Sequence, residues 1–467
     1  MEKIKIDKHD VIWSYLAQFL QLASGILILP IVLRLLPAEE IGLNYLMLNI
    51  GAMVALLDFG FAPQFGRNIS YIYGGAQMLL KEGVQSSIGE TINYRLLATM
   101  IEVARRVYKY MSIITLLLML SFGSIYMYFI TEGFKSVHNS WLIWLVYCLS
   151  TYFSVYFVYY ESLLLGAGQV KECKIAVIAS KLCNVILSIL FLYSGLSLLG
   201  ICLANLIAPF VSRYICKYFY FTDELKNKIL AYKISNEEIK ELFITIWYNA
   251  KKLGLNFLAT YAISKMGLFL AGLYLSLECV SSYGLLIQLV TLLGTVSMMP
   301  FTTIQPKLSC YRVEGCNVKL ISSFATSMLM FYILFFVGGM VLIYIAPWFL
   351  DIIGSNSVLP SKDIAILYLL VMFLEFNHSS FATLILTSNN VPFVKPSIFS
   401  GIAIVVCSYV SLQFLNIGLL GLVISQGLCQ LIYNNWKWPK VILDEFNISI
   451  PDFLRKGFIG LINVAKC

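Results

Sequence analysis

Charged residues are scarce in this chain of 467 residues. Asp, Glu, Lys and Arg together make up 12%, against about a quarter in soluble domains, while 59% of the residues are hydrophobic. His occurs three times, and no GxxxxGK[ST] nucleotide-binding loop is present. The eleven cysteines stand mostly in apolar runs, which excludes a disulfide framework and a zinc cluster. The composition indicates a polytopic membrane protein, and its net charge of +8 is no nucleic-acid signal.

Apolar runs long enough to cross a bilayer recur along the whole sequence. We predict twelve spans, near 12–36, 41–62, 111–130, 140–165, 175–194, 197–216, 253–275, 281–304, 320–345, 363–386, 396–415 and 418–436. No small-residue cleavage site follows the first run, so we expect it to be a retained span.

The distribution of Lys and Arg predicts the orientation. With the N-terminus in the cytoplasm, all but five of the 33 Lys and Arg residues fall in cytoplasmic segments. Lys135 and Lys362 lie in outside loops, and Arg34, Lys181 and Lys265 lie within spans. We therefore expect both termini in the cytoplasm.

Two predicted cytoplasmic segments, 64–109 and 213–252, are longer than simple turns and partly helical in pattern. In the first, apolar residues recur at helical spacing beside basic ones and predict an amphipathic helix that leads into the third span: Leu96, Leu97, Met100, Val103, Val107 and Met111. A solvated basic face that serves topology alone explains its Lys and Arg at least as well as a head-group site.

The two sets of six spans resemble each other. LLLGAGQ at 163–169 aligns with LILTSNN at 384–390, and YSGLSLLGICLAN at 193–205 aligns with FLNIGLLGLVISQ at 414–426 at the same offset. Parallel repeats of this kind place a substrate pathway between two bundles in many transporters, although apolar runs also match by chance. We predict an all-α membrane protein of two related six-helix lobes around a central cavity. The predicted divisions are an N-lobe at 1–216, a cytoplasmic linker at 217–252, a C-lobe at 253–436 and a cytoplasmic tail at 437–467.

Asp58 places a carboxylate inside the second predicted span. A carboxylate at that depth is costly unless it is paired, protonated or facing a watery cavity, so we expect Asp58 to face the cavity between the lobes. A solvated helix end is the alternative. Asn44, Gly51 and Asp58 form a heptad-spaced stripe, and Gln18 and Gln21 share a face of the first span. These polar stripes line a cavity or join helices to each other.

Three basic residues are candidates for binding an anionic substrate. Lys265 lies too deep in the seventh predicted span to snorkel easily, and Lys181 lies about 10 Å into the fifth. Arg67 follows the second span on its exit side. Structural ion pairing is the other explanation for each.

Glu375 and His378 form an ionisable pair at i and i+3 in the tenth predicted span. Intramembrane Glu and His groups recur in proton-coupled transporters, and His titrates closest to neutral pH. A buried structural pair is the equal alternative. No metal site or bound cofactor is predicted, and coupling to H⁺ or Na⁺ is open.

RLLPAEEIGLNYL, followed by LLDFGFAPQFGRNIS, resembles the start of bacterial O-antigen and polysaccharide flippases of the Wzx type, in the multidrug/oligosaccharidyl-lipid/polysaccharide (MOP) superfamily. The stretch LYLSLECVSSYGLLIQLVTLLGTVSMMPFTTIQPKLS at 273–309 resembles that family's seventh-to-eighth span region. The chain departs from the family where Ser264 and Lys265 stand in place of a frequent acid–arginine pair.

The resemblance implies alternating access, and a substrate of undecaprenyl-pyrophosphate-linked oligosaccharide moved to the periplasmic leaflet of the bacterial inner membrane. Membrane lipids and a polysaccharide polymerase are its implied partners. A multidrug or cation antiporter of the same superfamily is the alternative. A membrane-embedded polymerase or ligase is disfavoured, because the longest predicted outside loop is only about 347–362.

Overall fold

The computed structural model describes residues 8–80, 92–313, 315–387 and 392–465. Within these ranges every regular element is a helix. The chain divides into two compact units, Met1–Leu258 and Ala259–Cys467, called here the N-unit and the C-unit. The division predicted from the sequence, into two lobes, a linker and a tail, stays a prediction.

The N-unit contains the first nine helices and most of the tenth. They are α1 (Lys8–Leu35), α2 (Ala38–Ala55), α3 (Phe61–Tyr73), α4 (Tyr94–Leu118), α5 (Ser124–Ile130), α6 (Ser140–Gly166), α7 (Val170–Tyr193), α8 (Ser197–Tyr220), α9 (Asp223–Leu230) and α10 (Asn236–Ser264). A 3₁₀ turn, Leu56–Asp58, lies between α2 and α3, and a π-helical turn, Met119–Gly123, joins α4 to α5.

The remaining helices belong to the C-unit. They are α11 (Met266–Tyr274), α12 (Leu277–Ser297), α13 (Met299–Val313), α14 (Asn317–Tyr344), α15 (Ala346–Ile352), α16 (Lys362–Leu386), α17 (Val394–Gln413), α18 (Leu419–Ile432), α19 (Asn434–Glu445) and α20 (Ile450–Ala465).

Nine helical stretches in the described residues are long and apolar enough to cross a membrane. They coincide with the predicted spans two to six and eight to eleven, which makes this a multi-pass membrane protein. The third, Tyr94–Ile130, also confirms the predicted amphipathic helix, because α4 begins well before the apolar run and buries Leu97, Met100 and Val103. The total of twelve spans and the orientation of the termini stay predictions.

Four spans predicted as continuous are interrupted. The second is broken after Asp58, where Phe59 and Gly60 adopt φ of +46° and +77°, a left-handed backbone that no α-helix tolerates. The seventh is broken at Lys265 between α10 and α11, the eighth at Met298, and the twelfth at Tyr433, whose φ is −138°. The hydrophobic pattern of the sequence does not predict these helix breaks, because the segments on both sides of each break are hydrophobic.

A close helix contact holds α3 in place. A Cβ on Gly166 of α6 would lie 2.7 Å from the carbonyl oxygen of Gly66 and 2.6 Å from Cβ of Ile69, so only glycine permits this approach. Ser70 Oγ donates a hydrogen bond to the Gly166 carbonyl oxygen at 3.0 Å. Because α3 starts three residues after Asp58, this contact also positions the carboxylate.

In the C-unit, an aromatic cluster joins α20 to α14 and α16. The Phe324 ring lies 4.9 Å from Phe381 and 5.8 Å from Phe453, measured between centroids. A Cβ on Gly457 of α20 would lie 2.7 Å from the Ala325 carbonyl oxygen, so the two backbones touch here. The last described helix is therefore packed into the C-unit.

Candidate functional site

A cavity of about 630 Å³ opens within the N-unit, and we call it the N-unit cavity. Its walls come from α2, α3, α4, α6, α7 and α8. The polar residues that line it are Asp58, Tyr108, Tyr147, Ser150, Thr151, Ser154, Glu161, Ser180, Lys181, Asn184, Asn205 and Ser212. Its volume falls within the usual range for small-molecule sites, and its polar lining distinguishes it from a lipid-filled crevice.

Asp58 lies on the wall of this cavity and has two hydrogen-bond donors. Tyr108 Oη donates to Oδ1 at 2.6 Å, and the Ala62 backbone N–H donates to Oδ2 at 3.2 Å. The second bond places the carboxylate at the N-terminus of α3, where the helix dipole favours a negative charge. The break after Asp58 thus compensates the acid that the sequence places inside a span.

Glu161 and Lys181 bring opposite charges to the same cavity. Glu161 interacts electrostatically with Lys174 and Lys181, and it accepts a hydrogen bond from Ser212 Oγ at 3.4 Å. Lys181 is the twelfth of the 24 residues of α7, so it lies near the middle of the span. The helix starts at Val170 rather than near residue 175, and the predicted depth of about 10 Å from the cytoplasmic side stays a prediction.

Amide and hydroxyl groups from α7 and α8 meet on the opposite wall. Asn184 Nδ2 donates to Asn205 Oδ1 at 2.9 Å, and Ser180 Oγ donates to the Ala208 carbonyl oxygen at 2.8 Å. Pro209 interrupts the backbone hydrogen bonding of α8 at this level, since it has no N–H to offer the carbonyl of Asn205. This wall therefore offers donors and acceptors suited to a polyhydroxylated ligand.

The structure brings Asp58 and Lys181 together around one cavity, but it does not place every predicted residue there. Arg67 is exposed on α3, and neither it nor the half-buried Asn44 is among the described residues that line the N-unit cavity. The side chains of Gln18 and Gln21 lie outside the described part of the chain. The predicted cavity between two lobes stays a prediction.

Lys265 occupies the break in the seventh predicted span. It is half-buried, with φ of −125°, and its N–H still donates to the Tyr261 carbonyl oxygen at 2.9 Å. The nine residues of α11 that follow correspond to about 14 Å of helix, so Lys265 lies well inside the apolar run. Its depth in the membrane stays a prediction, whereas its place at a helix break was not foreseen.

The half-buried Glu375 and the buried His378 belong to a set of hydrogen-bonded residues that we call the C-unit network: Glu375, His378, Ser400, Gln430, Asn434, Asn435 and Trp438. Gln430 Nε2 donates to Glu375 Oε2 at 2.9 Å. Asn434 Nδ2 donates to Gln430 Oε1 at 2.6 Å and to Ser400 Oγ at 2.9 Å, and Trp438 Nε1 donates to Asn434 Oδ1 at 3.1 Å. The network surrounds the break at Tyr433 between α18 and α19.

The surroundings of His378 determine where its ring proton lies. Nδ1 faces two oxygen atoms, Oδ1 of Asn435 at 2.8 Å and the carbonyl of Leu374 at 3.1 Å, so Nδ1 is the donor. Nε2 lies 3.8 Å from Glu375 Oε1, as i and i+3 spacing predicts. With Glu375 as a carboxylate and His378 as a neutral ring, the pair has a net charge of −1. One added proton, on either residue, makes the pair neutral overall, so the pair has two electrostatic states.

Sequence reasoning missed several residues of the N-unit cavity. Glu161 lies in the fourth predicted span, and the rule that drew attention to Asp58, an acid inside an apolar run, applied to it equally. Asn184 and Asn205 are likewise polar residues within predicted spans. Tyr108 had no comparable signal, because one tyrosine among 29 is not distinguished by its neighbours.

No protein family model matches the sequence, and no curated protein matches it. Solved structures do match. A multidrug resistance MATE family transporter of the MOP superfamily, in an inward-facing conformation, aligns with a TM-score of 0.65 at 14% identity over 92% of this chain and 95% of its own. The chain has the fold of MOP superfamily transporters.

The lipid II flippase MurJ, in an inward closed conformation, aligns almost as well. Its TM-score is 0.62 at 14% identity, over 97% of this chain and 90% of its own. The MOP fold therefore extends over nearly the whole chain, and a multidrug resistance transporter and a lipid II flippase both share it. At these identities the likeness concerns the fold, and the cargo must be argued from the residues of this chain.

Proposed function

We propose that this protein is a flippase for a lipid-linked oligosaccharide, moving an undecaprenyl-pyrophosphate-linked glycan from the cytoplasmic to the periplasmic leaflet of a bacterial inner membrane. The observation that carries the proposal is Lys181, a cation in the middle of a membrane span that is exposed on a polar cavity. Placing an ammonium group at this depth in a membrane costs free energy. Such groups are found where an anion or a water-filled pathway offsets that cost.

A pyrophosphate that leaves water needs such a cation. Without one, desolvation of the anion would cost far more than neutral hydrogen bonds return. Lys181 supplies a first charge, and Lys265 in the C-unit supplies a second. Both lie at points where the local structure is open, one on a cavity and the other at a helix break.

The glycan needs hydrogen-bonding groups rather than charge. Ser150, Thr151 and Ser154 on α6 face the same cavity as Asn184 and Asn205. Hydroxyl and amide groups serve as both donors and acceptors, so they match sugar hydroxyls without imposing a net charge. The N-unit cavity thus combines Lys181 and two carboxylates, Asp58 and Glu161, with a neutral polar wall.

We further propose that an H⁺ gradient drives transport through Glu375 and His378. The pair sits at the break in α18–α19, and its two protonation states differ in charge within the C-unit network. Removing or adding a buried charge shifts a conformational equilibrium by kilocalories rather than tenths. Na⁺ coupling and an ion-independent cycle pulled by downstream polymerisation are the other possibilities, which flipping in reconstituted vesicles under an imposed pH or Na⁺ gradient separates.

A second candidate is a cation antiporter. Asp58 and Glu161 place two carboxylates on the N-unit cavity, which suits a cationic drug or ion, and the MATE transporter shares the fold. Lys181 works against this function, because it repels an organic cation in the same space. The two candidates therefore predict opposite effects of removing Lys181.

The test is a complementation assay for surface glycan in a strain that lacks its flippase, with membrane levels of each variant measured in parallel. We expect Lys181→Ala to reduce export about tenfold or more, because a charge-assisted contact to phosphate is lost, and Lys181→Arg to retain part of the activity. Lys265→Ala is expected to act in the same direction. Lys319→Ala, which removes an exposed lysine on α14, serves as the matched control.

Normal export by Lys181→Ala at normal membrane levels would overturn the flippase role of this lysine. Efflux of a cationic dye distinguishes the antiporter. If the protein is an antiporter, wild-type vesicles expel the dye, Asp58→Asn abolishes this efflux and Lys181→Ala increases it. If it is a flippase, vesicles with the wild type, Asp58→Asn or Lys181→Ala do not expel the dye.

A further inference from the structure

A second, almost wholly apolar depression of about 390 Å³ lies on the N-unit between α4 and the first half of α10. We call it the interfacial groove. Its lining residues are Phe61, Val103, Arg106, Val107, Tyr110, Met111, Ile114, Asn236, Ile239, Lys240, Phe243 and Trp247. The lining covers twelve residues along each helix, or about 16 Å from the first to the last. The groove is therefore long and narrow, unlike the polar N-unit cavity.

The groove is preformed, because its two walls are tied together. Arg95 Nη2 forms an ion pair with Glu238 Oε1 at 2.7 Å, and Arg106 Nη1 donates to Asn236 Oδ1 at 3.0 Å. The N-terminus of α10 is fixed by a capping box, in which Ser235 N–H donates to Glu238 Oε2 at 2.8 Å. That backbone hydrogen bond also lowers the pKa of Glu238, which keeps the pair with Arg95 charged.

Stacked aromatic rings build the floor. Phe61, Phe243 and Trp247 lie with centroids 5.7 to 6.3 Å apart and planes within 25° of parallel. The outer rim is exposed, with 62% of Tyr110 and 51% of Ile114 accessible. A rigid aromatic floor with an open apolar rim is a surface that an alkyl chain covers well.

The sequence of α4 and α5 places the groove in the membrane. Residues 111–130 carry no charge and correspond to about 30 Å of helix, the thickness of the hydrocarbon core. Arg105, Arg106 and Lys109 immediately precede this run. Met111 and Ile114 therefore lie at hydrocarbon depth, and Arg106 lies at head-group level, so the groove crosses the boundary.

Two cations stand at the head-group end. Lys240 is exposed and forms no hydrogen bond or ion pair with the described residues. Arg106 bonds to Glu102 Oε1 through Nε at 2.8 Å and to Asn236 through Nη1, which leaves Nη2 for another acceptor. The acid that faces this end, Glu102, is already shared between Arg105 and Arg106. Among the described residues, the groove lining itself contains these two cations and no acid.

We propose that the interfacial groove binds an anionic phospholipid of the surrounding leaflet, with one acyl chain along the aromatic floor and the phosphate on Lys240 and Arg106. The apolar groove, its depth and the cations at one end match the three parts of such a lipid. The leaflet is the one that the Lys and Arg distribution predicts to be cytoplasmic. This site is separate from the N-unit cavity and does not depend on the transported substrate.

The test uses native mass spectrometry of the full chain, released from detergent micelles with added phosphatidylglycerol or phosphatidylcholine. Wild-type protein is expected to retain one phosphatidylglycerol more tightly than phosphatidylcholine. Lys240→Gln is expected to weaken phosphatidylglycerol binding about fivefold and to leave phosphatidylcholine unchanged, because one charge near the surface is removed. Lys233→Gln, the same charge change on an exposed residue outside the groove lining, is the matched control.

A second variant fills the groove. Val107→Trp is expected to reduce retention of both lipids, and a fluorescence melting curve shows whether the variant is folded. In vesicles, quenching of tryptophan fluorescence by doxyl-labelled phosphatidylglycerol should fall when Trp247 is replaced by Phe. Equal binding of the two lipids by wild type, equal effects of Lys240→Gln and Lys233→Gln, or a dimer whose formation Val107→Trp abolishes would each overturn the proposal.

Discussion

The surroundings of the ionisable residues within predicted spans differ between the two units. In the N-unit, Asp58, Glu161 and Lys181 line an open cavity, and each has at most a few protein partners. In the C-unit, Glu375 and His378 are enclosed by amides and hydroxyls, and His378 is only 7% exposed. Charges on a cavity are free to meet a ligand, whereas charges inside a saturated network are suited to changing the conformation that surrounds them.

This difference separates the two proposed roles. Groups that bind cargo must exchange protein or water partners for cargo, so their removal should affect transport more than stability. Groups in a closed network leave buried partners unsatisfied when one is removed, so stability should suffer first. The free energy of unfolding, measured in detergent, therefore tests the comparison directly.

The largest effect is expected for Asn434→Leu. Asn434 contacts Ser400, Gln430 and Trp438, so its loss leaves several buried polar groups without partners, at a cost of about 3–4 kcal/mol. Thermal and denaturant unfolding in micelles measure it. Asn184→Leu in the N-unit cavity, which loses the bond to Asn205, should cost less than half as much. Equal losses would remove the contrast between the two units.

A smaller loss is expected for Gly51→Ala on the cavity wall. The added Cβ would lie 2.4 Å from Tyr147 Oη, which donates to the Met47 carbonyl oxygen at 2.6 Å, so the ring must shift at a cost of about 2 kcal/mol. Tyr147→Phe removes the clashing atom. The double variant should therefore be more stable than the sum of the two single changes predicts, by about 1 kcal/mol. Additive effects would show that the contact does not hold the wall.

The smallest effect on stability, under about 1 kcal/mol, is expected for Glu375→Gln, because an amide oxygen can still accept from Gln430. Its effect on transport should be larger. In reconstituted vesicles, the dependence of flipping on an imposed pH gradient should flatten while substrate binding persists. A variant whose flipping still follows the gradient would make Glu375 and His378 a structural pair.

Much of the architecture could be predicted from the sequence. Helical class, membrane location and nine span positions follow from long apolar runs, because a bilayer forces each crossing segment to satisfy its own backbone. The i, i+3 geometry of Glu375 with His378 followed from spacing alone. Helix breaks could not be predicted in this way, since Phe59, Lys265 and Tyr433 interrupt helices without interrupting hydrophobicity.

Candidate site residues were predicted individually, and only the structure could group them. Asp58 and Lys181 are more than a hundred residues apart, and the cavity that joins them also requires Glu161 and Tyr108, which lie on two other helices. The sequence by itself determined which ionisable residues stand inside long apolar runs, because that depends only on neighbours along the chain. The tertiary structure alone decided which of these residues share a cavity and which belong to the C-unit network, because that depends on how separate helices pack.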